Sequence, residues 1–216
     1  MTEEIVSALQ SIVRGHAQLD TAAHGPDLRP VLPRGPRDAA ICFMGRDPGE
    51  KEAKTGRAFI GESGRLLRNG LLEFYAPSVA PDEQARLAIG ERFFWMSTVP
   101  FKPVGNKPWS RQVRLACQPL LLQLLHEQWS GRDVVTFGNE AFSWFEIGQP
   151  SEVRQQLHAF WGQGDTRYER SIEVPLPGLA RTVCLHPMPH PSPANAVWRT
   201  RFPALLRQRL GALREA

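Results

Sequence analysis

Ala39-Ala40-Ile41-Cys42-Phe43-Met44-Gly45-Arg46-Asp47-Pro48-Gly49 runs an unbroken apolar stretch into a glycine, a charged pair and a proline. A short apolar run that stops at turn residues marks a strand buried on both faces, as in a parallel sheet. Runs of the same character lie at 93–99, 133–137 and 181–185. Around them, helical stretches are read at 63–74, 82–89, 110–129, 140–145, 152–161 and 195–210, several opened by Ser, Asp or Asn as N-caps. Strands alternating with helices give a three-layer α/β/α sandwich around a central, mainly parallel four-stranded sheet. The segment 168–177 offers a further short hairpin or edge strand.

Upstream, Ile5, Leu9, Ile12 and Val13 recur at helical spacing, and Pro26, Pro30, Pro33 and Pro36 then preclude a continued helix. Residues 1–38 therefore read as an N-terminal helix and a Pro-rich lead-in to a single domain spanning 1–216. With 42% hydrophobic and 22% charged residues the composition is that of a globular protein, and no apolar run is long enough to span a bilayer. Met1-Thr2-Glu3-Glu4 lacks the basic region of a secretory signal, so a cytoplasmic location is expected. Cys42, Cys117 and Cys184 are odd in number and far apart, which suits reduced core cysteines better than disulfides or a closed metal set. The 26 Lys and Arg are nearly all Arg against a net charge of only +4. That balance permits a nucleic-acid partner without requiring one.

In open α/β sheets ligands bind beyond the carboxyl ends of the strands, which directs attention to the loops there. Gly45-Arg46-Asp47-Pro48-Gly49-Glu50 continues to Gly56-Arg57-Ala58-Phe59-Ile60-Gly61-Glu62-Ser63-Gly64, a path rich enough in glycine for close ligand approach. Pro48 biases Asp47 to an extended conformation that points its carboxylate into the cleft, although a plain Asp-Pro-Gly turn uses the same residues. After the last strand, Pro187, Pro189, Pro191 and Pro193 stiffen a loop that carries His190 and Ser192. An ordinary Pro-rich surface connection is the alternative there.

In this order, the loops resemble those of the uracil-DNA glycosylase superfamily. Gly45-Arg46-Asp47-Pro48 is similar to its Gly-Gln-Asp-Pro motif, Gly49, Glu52 and Gly56-Arg57-Ala58-Phe59-Ile60-Gly61 to a second branch, and His190-Pro191-Ser192-Pro193 to the final His-Pro-Ser motif. The resemblance implies a monofunctional enzyme that hydrolyses the N-glycosidic bond of uracil in DNA and leaves an abasic site. It assigns Asp47 to the cationic sugar and its water, and His190 to uracil O2. Base contacts fall on Gly45 and Arg46 through their amides, on Gly49 and Glu52 near C5, on Phe59 as stacking ring, and on Ser97 where a base-reading asparagine is usual. A hydroxyl lacks the paired donor and acceptor of an amide, which leaves the preferred base open.

DNA contacts are implied for Arg57, Lys102, Lys107 and Arg199 on phosphates, and for Ser63 and Ser192 pinching the backbone. Pro193, Ala194 and Asn195 form the wedge segment and Pro191 is a further DNA contact on the same loop, while Asn139, in Gly138-Asn139-Glu140, either contacts phosphate or caps a helix. Trp198 stands near the wedge at core-like helical spacing with Phe202 and Leu205. Phe101 occupies a position where the second branch has a cluster cysteine, and three cysteines cannot supply four thiolates, so no iron–sulfur cluster, metal or other cofactor is expected. The expected partners are uracil-containing and abasic DNA, bound by a monomer that associates with the nucleoid. A binder of such DNA with little turnover, or a glycosylase for another deaminated or damaged base, fits the same residues.

Overall fold

A computed structural model describes residues 2–191 and 196–215. The sheet comprises β1 (Ile41–Gly45), β2 (Phe94–Ser97), β3 (Asp133–Phe137), β4 (Ile172–Pro175) and β5 (Thr182–Met188), in the spatial order β2-β1-β3-β5-β4. All neighbours are parallel except the edge pair β4 and β5. The sheet thus has five strands where four were expected, and the fifth lies inside the segment read as a hairpin or edge strand. Its apolar signal is weak because only Val174 of its four residues is buried.

Alternation along the strands sorts side chains to two cores. Cys42, Met44, Phe94, Met96, Val134, Val183 and Leu185 face one side, and Ile41, Phe43, Trp95, Val135, Phe137 and Met188 face the other. The first core is closed by Leu9 of α1 (Thr2–Val13), Leu121 of α6 (Arg111–Gln128), Phe142 of α7 (Asn139–Ser143) and Leu157 of α8 (Ser151–Trp161). The second is closed by Leu67 and Leu71 of α4 (Glu62–Tyr75), Ile89 of α5 (Glu83–Gly90) and Phe202 and Leu206 of α9 (Ala196–Glu215). Each such buried side chain contributes about 1.5–3 kcal/mol, so both layers are well anchored. No helix among the described residues is long and apolar enough to cross a membrane.

Two short helices, α2 (Thr21–His24) and α3 (Glu50–Thr55), lie where loops were expected. The proline-rich lead-in pairs with the free edge of β2 through reciprocal Arg34 and Trp95 backbone bonds, and Val31 donates to the Pro100 carbonyl. It therefore covers an edge that would otherwise expose unpaired amides. The chain order reverses at β1, which has β2 on one side and β3 on the other. A cleft is expected at the carboxyl end of such a strand.

Candidate active site

That cleft is present as a cavity of about 410 Å³ at the carboxyl ends of β1 and β2, with His190 reaching in from the loop after β5. Its walls bring together Gly45, Arg46, Asp47, Gly49, Glu52, Phe59, Ser63, Ser97, Lys102 and His190. Residues almost 150 positions apart in sequence meet there because β1 and β5 flank β3 and end at the same side of the sheet.

The β1 loop is fixed at several points. Thr98, just past β2, donates from its amide to the Gly45 and Arg46 carbonyls at 3.0 and 2.9 Å, and from its hydroxyl to Arg46 at 2.5 Å. Farther along, Glu52 is buried and accepts bonds from the amides of Ile60 and Gly61 at 3.1 and 2.8 Å. Its carboxylate thus braces the loop as well as lining the cavity. Phe59 adopts a left-handed backbone, φ 55°, a conformation that costs an ordinary residue about 1–3 kcal/mol and persists only under constraint.

Two constraints act on Phe59. The buried Arg68 donates to the Phe59 carbonyl at 2.8 Å and to Ala58 at 3.2 Å, with its guanidinium over the Trp95 ring. Burial lowers the Arg68 pKa to about 10, so it stays charged at neutral pH. Gly64 is the second: a Cβ there would stand 2.0 Å from the Phe59 carbonyl oxygen. The ring itself packs on Trp95 and Phe137 at 5.2 and 5.6 Å, and its tip reaches 2.6 Å from where a Gly45 Cβ would stand. Phe59 is therefore both a rim residue of the second core and a wall of the cleft.

Asp47 carries the strongest electrostatic signal in the cleft. Its side chain is 2% exposed, Oδ2 accepts from Arg46 Nε at 2.6 Å, and Oδ1 is buried with no partner among the described residues. Desolvation pushes its pKa up to about 7; the Arg46 charge and hydrogen bond oppose the rise, with smaller effects from Glu140, which raises it, and Arg114, which lowers it. His190 lies exposed at the cleft mouth, yet the surrounding protein and then the Arg46 charge push its pKa down to about 4. Both influences favour a neutral imidazole at pH 7. A carboxyl group titrating near neutrality and a neutral imidazole on facing loops can stabilise a cation on one side and donate to an anion on the other.

Other expected contacts fall elsewhere. Lys102 is 9% exposed at its side chain and pairs with Asp20 at 2.8 Å, so its ammonium is already neutralised beside the cavity and not presented on an open surface. Arg57 is exposed beside a separate small groove with Arg34 and Trp95, and Arg199 pairs with Glu62 at 3.0 Å. Lys107 is exposed, and Asn139 opens α7 at a different recess with Ser143 and His158. Pro191 is buried, whereas Ser192, Pro193, Ala194 and Asn195 lie outside the described residues. Trp198 is half-buried against Tyr168, ring centroids 5.0 Å apart. Phe101 is buried against His24 at 5.4 Å, its carbonyl accepting from Trp109 at 2.8 Å. Arg68, Thr98 and Asn106 were not singled out in sequence; the available signal was Arg68 inside an apolar helical stripe with Leu67, Leu71 and Leu72.

An α/β/α domain with a cleft at its topological switch point, a buried acid on one rim and a histidine on the other, fits the nucleobase-glycosylase class. The chain belongs to the Uracil DNA glycosylase superfamily, whose family profile matches residues 32–214. It is also similar to the type-4 uracil-DNA glycosylase of Thermotoga maritima, 30% identical over 123 residues that cover 57% of this chain and 57% of that relative. The chain thus aligns with a little over half the length of that curated relative.

Proposed function

We propose that the protein is a monofunctional uracil-DNA glycosylase that hydrolyses the bond between a flipped base and its deoxyribose. The observation that carries this reading is the Asp47 carboxyl: buried, with one oxygen unpartnered, in a cavity faced by His190 and walled by Phe59. As the glycosidic bond breaks, the sugar becomes cationic and the base anionic. Ionised Asp47 stabilises the cation and accepts a proton from the attacking water at Oδ1; a pKa near the operating pH suits a general base. Neutral His190 donates to the base oxygen on which negative charge accumulates. Phe59 offers an aromatic face for stacking the extruded base. The bound species would be uracil-containing DNA before cleavage and abasic DNA after it.

Ser97, buried at the end of β2 in the cavity wall, favours a second reading in which another deaminated base is preferred. A hydroxyl can adapt as donor or acceptor where an amide presents both at once. Single-turnover incubation with duplexes holding one uracil, hypoxanthine, xanthine or mismatched thymine, followed by alkali cleavage, tests both. Strand breaks at uracil alone are expected. Breaks at hypoxanthine or xanthine only would transfer the function to purine excision, and none at any base with retained abasic-DNA binding would make the protein a binder.

A further inference from the structure

The Asp47 carboxyl is aimed from one side. Arg46 bridges from Nε to Oδ2 at 2.6 Å and from Nη2 to the Asn106 carbonyl, also at 2.6 Å, and Oδ1 is buried with no partner among the described residues. The Asn106 carbonyl is presented by the tight turn Val104–Asn106, in which Asn106 has φ 55°. Asparagine tolerates that left-handed conformation better than most residues. At its other end the Arg46 backbone is held by Thr98. With its side chain only 28% exposed and both ends tied down, this guanidinium is a part of the cleft and not a mobile surface cation.

We infer that Arg46 is a positioning residue: clamped between the Asp47 carboxyl and the Asn106 carbonyl, it fixes the Asp47 carboxyl through Oδ2 and holds a fixed positive charge close to both the acid and His190. The inference rests on the glycosylase reading for its functional meaning, but its geometry stands apart from that reading. Around Asp47 the other charges are Glu140 on α7 and Arg114 on α6. These two are paired with each other and act on Asp47 in opposite senses, each more weakly than Arg46. Arg46 is left as the dominant charge, and it is also the charge acting on His190. One guanidinium therefore biases both groups in the useful direction, the acid toward its anion and the imidazole toward its neutral donor form.

Arg46→Gln removes the charge but keeps a polar stem; Arg46→Lys keeps the charge but loses the two-ended fork. Carbon-13 NMR titration of the free protein, with the Asp47 signal assigned by its loss in Asp47→Asn, reads the effect without any substrate. In Arg46→Gln the Asp47 midpoint should rise by about one pH unit and the His190 midpoint should also rise. The acid limb of the single-turnover rate should move with it, so that excision falls about tenfold at pH 6 and largely recovers by pH 9. Arg46→Lys should titrate near wild type yet excise more slowly at every pH. Wild-type midpoints in Arg46→Gln, or an equal rise in Arg46→Lys, would overturn the inference whatever the activity. Shifted midpoints in a protein that excises no base would instead sink the glycosylase reading and leave the electrostatic role of Arg46 standing.

Discussion

His186 and His190 stand four residues apart on one strand and the loop that follows it, and their surroundings drive them in opposite directions. His186 is enclosed by partners: Nε2 bonds Asp133 at 2.8 Å, and Nδ1 faces Arg209 at 3.3 Å, whose other nitrogen donates to the Tyr168 and Arg170 carbonyls. Burial alone would lower its pKa, but the bonds to Asp133 and Cys184 outweigh that and raise it. His190 faces a cavity and an arginine, and its pKa falls. The carboxylates differ likewise, since Asp133 meets a histidine whereas Asp47 keeps a buried oxygen with no partner among the described residues. Both His186 ring nitrogens are partnered and tie β3, β5 and α9 together; a buried carboxylate oxygen with no partner among the described residues needs a ligand, a water or a reaction to account for it.

The largest expected effect is at the unsatisfied end. Asp47→Asn preserves shape but removes the anion, and should lower single-turnover excision by about 10³-fold or more while abasic-DNA affinity survives. Folding should respond in the opposite sense. The folded carboxyl keeps its proton up to about 7 against an ordinary value of 3.8, so the folded chain binds more protons than the unfolded one between those values. Stability then falls as pH rises through that window, and Asp47→Asn should raise Tm at pH 8, worth up to about 4 kcal/mol. A variant within threefold of wild-type rate, or one less stable at pH 8, would remove Asp47 from the role given to it.

The two histidines should separate next. His190→Ala should reduce the excision rate about 100-fold with little change in Tm, because it loses a donor and not a packed network. His186→Asn should instead cost stability, about 1–3 kcal/mol by thermal or urea unfolding, and leave the excision rate of the folded protein nearly unchanged. Reversal of that pattern would make His186 the functional histidine. Smaller again is Gly64→Ala: its new methyl would meet the Phe59 carbonyl, shift the ring, and reduce kcat/KM about tenfold with most of the fold intact. An unchanged rate would show that Phe59 tolerates displacement and does not set the base position.

Much of this was legible in the sequence because strands and loops are local signals. The four parallel strands announce themselves as apolar runs, and Asp47, Phe59, Ser97 and His190, read at the carboxyl ends of β1, β2 and β5, line one cleft. β4 gives only the weak signal of an edge strand because three of its four residues are not buried. The short helix α3 was hidden by its glycine-bounded, charged sequence. What stayed out of reach depended on long-range partners. Arg68 signals nothing until the Phe59 carbonyl arrives over it, and the Arg46 clamp needs Asn106, sixty residues away. For the same reason Lys102 read as a free cation: Asp20, its partner, sits 82 residues upstream.

Lys102 and Lys107 give the finest test of that distinction, since the sequence offered both as phosphate contacts. Lys102 donates to Asp20 at 2.8 Å and to the Pro103 carbonyl at 3.1 Å, and its amide donates to His24 at 2.7 Å. Its positive charge is spent within the fold, joining the N-terminal segment to the cavity wall. Lys107, exposed just beyond the turn that carries Asn106, has its charge in solvent. Each phosphate that a lysine neutralises adds about 0.9 to the slope of log K against log salt on duplex DNA. Lys107→Ala should therefore reduce that slope by about 1 and leave Tm within about a degree. Lys102→Ala should leave the slope alone and lower Tm by several degrees, because it strands the Asp20 carboxylate in a partly buried pair. Fluorescence anisotropy with abasic duplex between 50 and 300 mM salt, paired with thermal melts, distinguishes them. An equal loss of slope from both lysines would mean that the Lys102–Asp20 pair opens when DNA binds, and a loss from Lys102 alone would place the strand on the side of the cleft away from Lys107.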